Sequence, residues 1–217
     1  MTEPLAQLSE VTFGYQRKEP VIRALTAEFH AGAVCAVSGP SGCGKSTILS
    51  LLGLLLSPQS GRVTVLGNRC DTMHDRARSM IRRHHIGFVF QDALLETSMT
   101  VWQNLYEALP PRLSLQTARQ RASASLNALG LPDGILDRKA LTLSGGQAQR
   151  VAVVRALLKE PELVLADEAT GNLDDTSGRL VLDALFEYGR QPGRACVIVT
   201  HDVRIVRTAD TELRIGP

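Results

Sequence analysis

The sequence predicts an α/β protein: a core with a mostly parallel sheet, an antiparallel β edge near the N-terminus and an inserted helical lobe. Short apolar runs alternate with helical patterns through the first ninety residues and again after residue 160, which argues for parallel strands covered on both faces. The earliest runs are joined by a polar turn, as in an antiparallel pair. Between 92 and 158, helical patterns follow one another with no convincing strand.

Residues 5–13 and 21–29 read as the edge strands around a turn at 16–20. Residues 33–38 (AVCAVS) form a buried strand, and 46–56 (STILSLLGLLL) an apolar helix. The turn Ser57-Pro58-Gln59-Ser60-Gly61 leads into a strand at 62–66. A polar helix over 76–83 and a buried strand over 86–90 end at Gln91. The lobe holds helices at 101–109, 115–129 and 146–158. On the last of these Ala148, Val151, Ala152, Val154 and Leu158 make an apolar stripe, with Gln149, Arg150 and Arg155 off it. Strand 163–166, helix 176–188, strand 195–200, a short helix at 203–209 and a strand at 212–215 complete the core. The division is one domain over 1–217, with its core and β edge from 1–91 and 159–217 and its lobe from 92–158.

At 217 residues the chain can bury roughly 70% of its unfolded surface, enough for one large domain with a smaller lobe. Its 24 basic and 22 acidic residues leave a net charge of +2, so no overall field favours nucleic acid, and no nucleic-acid partner is expected. Cys35, Cys43, Cys70 and Cys196 lie outside any C-x-x-C pattern, which fits reduced thiols in a cytosol. The apolar run at 48–56 is far short of the ~20 residues that cross a bilayer, and the polar start MTEPLAQLSE lacks the features of a signal peptide. With Pro217 almost directly after the last strand, no regulatory domain is expected.

Gly39-Pro40-Ser41-Gly42-Cys43-Gly44-Lys45-Ser46-Thr47 satisfies the phosphate-loop pattern, with a strand before it and a helix after it. Its glycines let successive N–H groups turn inward onto phosphate oxygens at the positive end of the helix. Lys45 can reach the β and γ phosphates, and the Ser46 hydroxyl can coordinate magnesium. By itself this loop also suits a small-molecule kinase. At the carboxyl end of strand 163–166 stand Asp167 and Glu168, which divide into a magnesium holder and a group that polarises the attacking water. The competing reading of that pair is a solvated helix cap.

These residues resemble the nucleotide-binding subunits of ATP-binding-cassette systems, whose motifs run through the chain in order. Tyr15 stands where the family stacks adenine; the phosphate loop follows, then Gln91 after Gly87-Phe88-Val89-Phe90, then Leu143-Ser144-Gly145-Gly146-Gln147 as the signature. Asp167-Glu168, Gly171-Asn172-Leu173-Asp174 and Thr200-His201-Asp202 complete the set. GFVFQ and ADEATGNLD resemble the branch of lipoprotein-release, macrolide-export and cell-division ATPases, although Ala169 stands where that branch usually has proline.

The resemblance implies the cassette ATPase fold, ATP and magnesium as cofactors, and hydrolysis coupled to transport. It implies two chains packed head to tail, as a homodimer, with Ser144, Gly145, Gly146 and Gln147 of one covering the nucleotide on the other's loop, and Asp174 close by. Glu168 would be the catalytic carboxylate, Gln91 would touch magnesium and water, and His201 the γ phosphate. The partners would be integral-membrane permease subunits, which place the chain in the cytoplasm, peripheral on the inner face of the membrane. A non-transport role regulating a cell-division or cell-wall complex shares the same chemistry. A soluble nucleic-acid or ribosome ATPase of the superfamily would carry two cassettes or a long coiled-coil insert. His30, His74, His84 and His85 read as surface residues. The run Arg82-Arg83-His84-His85 reads as solvated, with a phospholipid head group as the other reading, and Trp102 as core or as part of a docking face for the membrane partner.

Overall fold

The computed structural model describes residues 3–15, 19–109 and 114–216, so part of the turn expected at 16–20 and the final Pro217 lie outside it. The first elements are β1 (Ala6–Phe13), β2 (Ile22–Phe29), β3 (Ala33–Ser38), α1 (Lys45–Leu52), β4 (Ser60–Val65), β5 (Asn68–Arg69), α2 (Asp75–His85) and β6 (Ile86–Val89). Next come α3 (Val101–Tyr106), α4 (Leu115–Ala128) and α5 (Gly145–Leu158), with two short 3-10 turns at Ile135–Asp137 and Ala140–Thr142. β7 (Leu163–Asp167), α6 (Asp175–Gly189), β8 (Ala195–Val199), α7 (Val203–Thr208) and β9 (Thr211–Arg214) return to the core.

The parallel sheet runs β6-β7-β8-β3-β9, and its register sets up the site. Val37 lies level with Val199, and Val199 with Asp167, so β3, β8 and β7 end in one row. Adjacent strands are about 4.8 Å apart, which brings the loops leaving these three ends within side-chain reach. Alternate strand residues serve two cores. Cys35, Val37, Leu163, Leu165, Val197 and Val199 face α1 and the antiparallel strands. Val34, Val164, Ala166, Cys196 and Ile198 belong to a second cluster with residues of α3, α4, α5 and α6. The expected antiparallel edge is a four-stranded sheet of its own, β2-β1-β4-β5, which also takes up the strand that follows the first helix.

The first helix stops four residues earlier than its apolar run suggests. Gly53 caps it, and Leu54 takes a left-handed φ of 57°. The Leu54 carbonyl then accepts from Arg78 at 2.6 Å and from Arg82 at 2.7 Å, two cations at the negative end of a helix. Part of the Arg82–His85 run is thereby engaged. His30, His74 and His84 are exposed, whereas His85 is half-buried and pairs with Glu162 at 3.0 Å. Trp102 is half-buried beside Tyr106, with the Arg119 guanidinium 5.5 Å from its ring. All four cysteines are free.

Candidate functional site

The phosphate loop leaves β3 through three glycines of positive φ, 147° at Gly39, 79° at Gly42 and 100° at Gly44. At Gly39 the requirement is also steric, because a Cβ there would lie 2.1 Å from the Ile215 carbonyl oxygen. The loop tip at Pro40, Ser41 and Gly42 is exposed, Cys43 is half-buried, and Lys45 is buried. Lys45 Nζ donates to the carbonyls of Gly39 and Pro40, each at 2.8 Å, so the ammonium is held inside the loop's curve. Thr47 is buried, and its Oγ1 lies 3.2 Å from the Tyr15 hydroxyl. Tyr15 packs edge-on against Phe13 and keeps half its surface exposed, which leaves an aromatic platform beside the loop.

At the end of β7, Asp167 is half-buried. Desolvation pushes its carboxyl above the usual range; the Ser46 hydroxyl pulls it back, the Glu168 charge raises it and the Lys45 charge lowers it. The next residue, Glu168, turns sharply out of the strand with φ 44°, a strained backbone for a non-glycine residue. Its N–H donates to the Val199 carbonyl and its carbonyl accepts from Gly171 N–H, each at 3.0 Å. Thus the strain is fixed from both sides. Glu168 Oε1 lies 3.2 Å from His201 Nδ1, which joins the ends of β7 and β8. Ala169 is buried in the core below them.

Gln91 follows β6 and is exposed. Two residues placed off the apolar stripe of α5 hold its neighbours. Gln149 is buried, not solvated, and its Nε2 donates to the Phe90 carbonyl at 2.8 Å. Arg155 donates to the carbonyls of Ala93 at 2.9 Å and Leu94 at 2.8 Å. Sequence reasoning missed both, although long polar side chains on an otherwise apolar helix were the available signal.

The signature opens α5 as expected. Ser144 caps the helix, with its Oγ accepting from Gln147 N–H at 3.2 Å and its own N–H donating to Gln147 Oε1 at 3.1 Å, a reciprocal capping box. Gly145 and Gly146 therefore occupy the first turn, where backbone N–H groups lack helical partners. A Cβ on Gly146 would touch Leu173 at 3.4 Å, so this chain's signature packs beside its own Gly171–Asp174 segment. Asp174 caps α6 by accepting from Ser177 N–H at 2.9 Å, and that bond holds its carboxyl below the usual range. Among the described residues no hydrogen bond joins residues 144–147 to the phosphate loop.

Four parallel strands thus deliver a phosphate loop, an acidic pair, a histidine and a glutamine to one edge of a sheet, with the N-terminus of α5 presented separately. That combination defines a nucleotide-hydrolysing cassette. The ABC transporter family model matches residues 22–171, more than half of the chain, and the chain belongs to that family. It is an ATP-binding, ATP-hydrolysing subunit. Relatives include the lipoprotein-releasing system ATP-binding protein LolD 1 of Caulobacter vibrioides, 42% identical over 184 residues (84% of this chain and 78% of that protein). LolD of Pseudomonas syringae pv. tomato is 40% identical over 196 residues, covering 90% and 86%. Among solved structures, the dimeric post-hydrolysis state of the cassette MJ0796 bound to ADP and Pi superposes with a TM-score of 0.87 at 32% identity, covering 97% of this chain and 94% of that one. CbiO1 of Clostridium perfringens, part of the ABC transporter complex cbiONQ, gives a TM-score of 0.84 at 28% identity, covering 99% and 86%.

Proposed function

We propose that this chain powers a separate membrane permease by closing head to tail on a second copy of itself around ATP. The observation that carries the reading is the split between Lys45, Asp167, Glu168 and His201 at the sheet edge and the free first-turn N–H groups of Gly145 and Gly146 on the lobe. A helix start of this kind suits a phosphate, and this chain's own contacts do not turn it toward its own loop. MJ0796 is described as a dimer and CbiO1 as part of a transporter complex, which supports both halves of the proposal. The LolD relatives favour a lipoprotein-releasing type of permease. No helix among the described residues is long and apolar enough to cross a membrane, so the chain would sit on the inner membrane face through that partner.

In this reading Tyr15 stacks on the base, and residues 39–47 wrap the phosphates through backbone N–H groups and Lys45. The oxygen set of Ser46 and Asp167, with Gln91 at the rim, suits a hard cation, and magnesium held there would neutralise phosphate charge. Asp167, half-buried beside Glu168 and with a carboxyl costly to ionise, is where such a charge would be most stabilising. Glu168, aimed by its strained backbone and held by His201, orients and deprotonates the attacking water. His201, mostly exposed, is placed to touch the γ phosphate. Ser144, Gly145, Gly146 and Gln147 cover the nucleotide from the other chain, with Asp174 at the seam. Residues 92–158 move as a lobe against 1–91 and 159–217, and Gln149 and Arg155 tie that motion to Gln91. Glu168→Gln should form an ATP-dependent dimer that releases almost no phosphate; wild-type turnover in that variant would refute the assignment.

A further inference from the structure

Arg150 lies off the apolar stripe of α5, one position past Gln149, and the hydrolysis chemistry leaves it unused. Its Nε donates to the Gly146 carbonyl at 3.3 Å, one turn back on the same helix. Its Nη1 donates to the Leu129 carbonyl at 3.0 Å and reaches the Gly130 carbonyl at 3.5 Å. Leu129 caps the carboxyl end of α4, and Gly130 turns the chain away from it with φ 69°. The last carbonyls of a helix have no helical donors, and a cation beside them also meets the negative end of the helix dipole. Among the described residues no carboxylate lies within 4.0 Å of Arg150, so its guanidinium is met by these main-chain carbonyls.

The peptide that joins Gly146 to Gln147 is thereby held at both ends. Its N–H donates to Ser144 Oγ at 3.2 Å, and its carbonyl accepts from Arg150. A Cβ on Gly146 would stand 3.4 Å from Leu173, and one on Gly130 would stand 3.3 Å from Leu180 of α6, so both anchor points are packed as well as bonded. A guanidinium is planar with its donors in fixed directions, and bonding two points at once sets the distance between them. The N–H groups of Gly145 and Gly146 stand just before the held peptide. Donors aimed at developing charge act by being fixed in advance, and a displacement of about 1 Å can remove up to ~100-fold of rate.

We propose that Arg150 is a positioning residue for the signature: it fastens the first turn of α5 to the carboxyl end of α4, and so fixes where the Gly145 and Gly146 N–H groups meet the γ phosphate on the partner's loop. The proposal rests on the head-to-tail reading above. An Arg150 that only supported the fold would lower stability and turnover together, whichever half of the site the other chain supplied. A positioning Arg150 acts on the signature half alone.

Arg150→Met keeps an unbranched apolar stem and removes every donor. Steady-state phosphate release should show kcat lowered by about 10- to 100-fold, while fluorescent-nucleotide titration of the dilute chain should give an ATP affinity within about twofold of wild type. Arg150→Lys keeps the cation at the end of α4 but offers one head group where two separated donors are needed. Its thermal melt should stay near wild type while its turnover falls as in the methionine variant. The decisive arm mixes chains. With Lys45→Ala, whose signature is intact, Arg150→Met should regain single-turnover hydrolysis to the level that Ser144→Arg reaches with Lys45→Ala; with Ser144→Arg it should regain nothing. If Arg150→Met melts below the assay temperature, Arg150→Lys takes its place in the mixtures with the same expectations. Rescue by Ser144→Arg, no rescue by Lys45→Ala while the control pair works, or wild-type turnover in Arg150→Met or Arg150→Lys would each overturn the proposal. If the control pair itself restores nothing, the dimeric reading fails and this proposal falls with it.

Discussion

Replacing Gln149 with methionine keeps the volume of a buried side chain and removes the amide that donates to the Phe90 carbonyl at 2.8 Å. The lost bond is worth about 1 kcal/mol net, and a half-buried carbonyl left without its donor adds a further share, for a total of about 2 kcal/mol. In a domain of this size that lowers Tm by about 4–8 °C. The functional effect should exceed the effect on stability, because Phe90 is the anchor next to Gln91. A shift of about 1 Å in a positioned group can remove up to ~100-fold of rate. The expected result is a kcat for ATP reduced by between ~10- and ~100-fold with nucleotide affinity nearly unchanged, measured by steady-state phosphate release and equilibrium nucleotide titration beside thermal melts. A lower Tm with unchanged kcat would reduce Gln149 to packing. An unchanged Tm would mean that the bond contributes nothing and would refute the reasoning at its base.

Gly39→Ala forces a Cβ to 2.1 Å from the Ile215 carbonyl at a φ that side chains avoid, so the variant should lose ATP binding and melt well below wild type in calorimetry. Tyr15→Ala should weaken ATP binding by about 2- to 12-fold through the lost stacking face, whereas Tyr15→Phe should stay near wild type, by fluorescent-nucleotide titration. Asp167→Asn should abolish turnover yet raise the Tm of the nucleotide-free chain at pH 7. Since the folded carboxyl sits above its unfolded value, the wild-type penalty is full above the raised pKa and fades as pH falls toward the ordinary carboxylate value. The Tm gap should therefore close in acid, and a gap that widens there would contradict the assigned desolvation.

The order of strands and helices was legible because apolar period and length differ between the two cores' elements, and the phosphate loop and signature announce their own backbone geometry. The extent of α1 was not, since Leu54 to Leu56 are as apolar as the helix before them. What ends the helix is Gly53 and a carbonyl clamp by Arg78 and Arg82, residues more than twenty positions away. The second sheet was half hidden for a similar reason: β4 pairs with β1, and pairing between strands so far apart leaves no local pattern. Motif order picks out the candidate site residues, but their supports leave no such trace in the sequence. Gln149 looks like a solvent-facing polar residue in sequence, and only the approach of β6 to α5 makes its amide a buried link. Asp174 and Gln147 looked like ligand groups alone, yet each also caps a helix start.

The claim that one chain's phosphate loop is completed by another's signature is tested most directly by mixing two inactive variants. Lys45→Ala and Ser144→Arg should each be inactive alone, because every site in either homodimer lacks one half. Mixed, they form dimers in which the intact loop of the Ser144→Arg chain faces the intact signature of the Lys45→Ala chain, and single-turnover ATP hydrolysis should reappear. If both halves of the site belong to one chain, mixing will restore nothing, and the dimeric account fails.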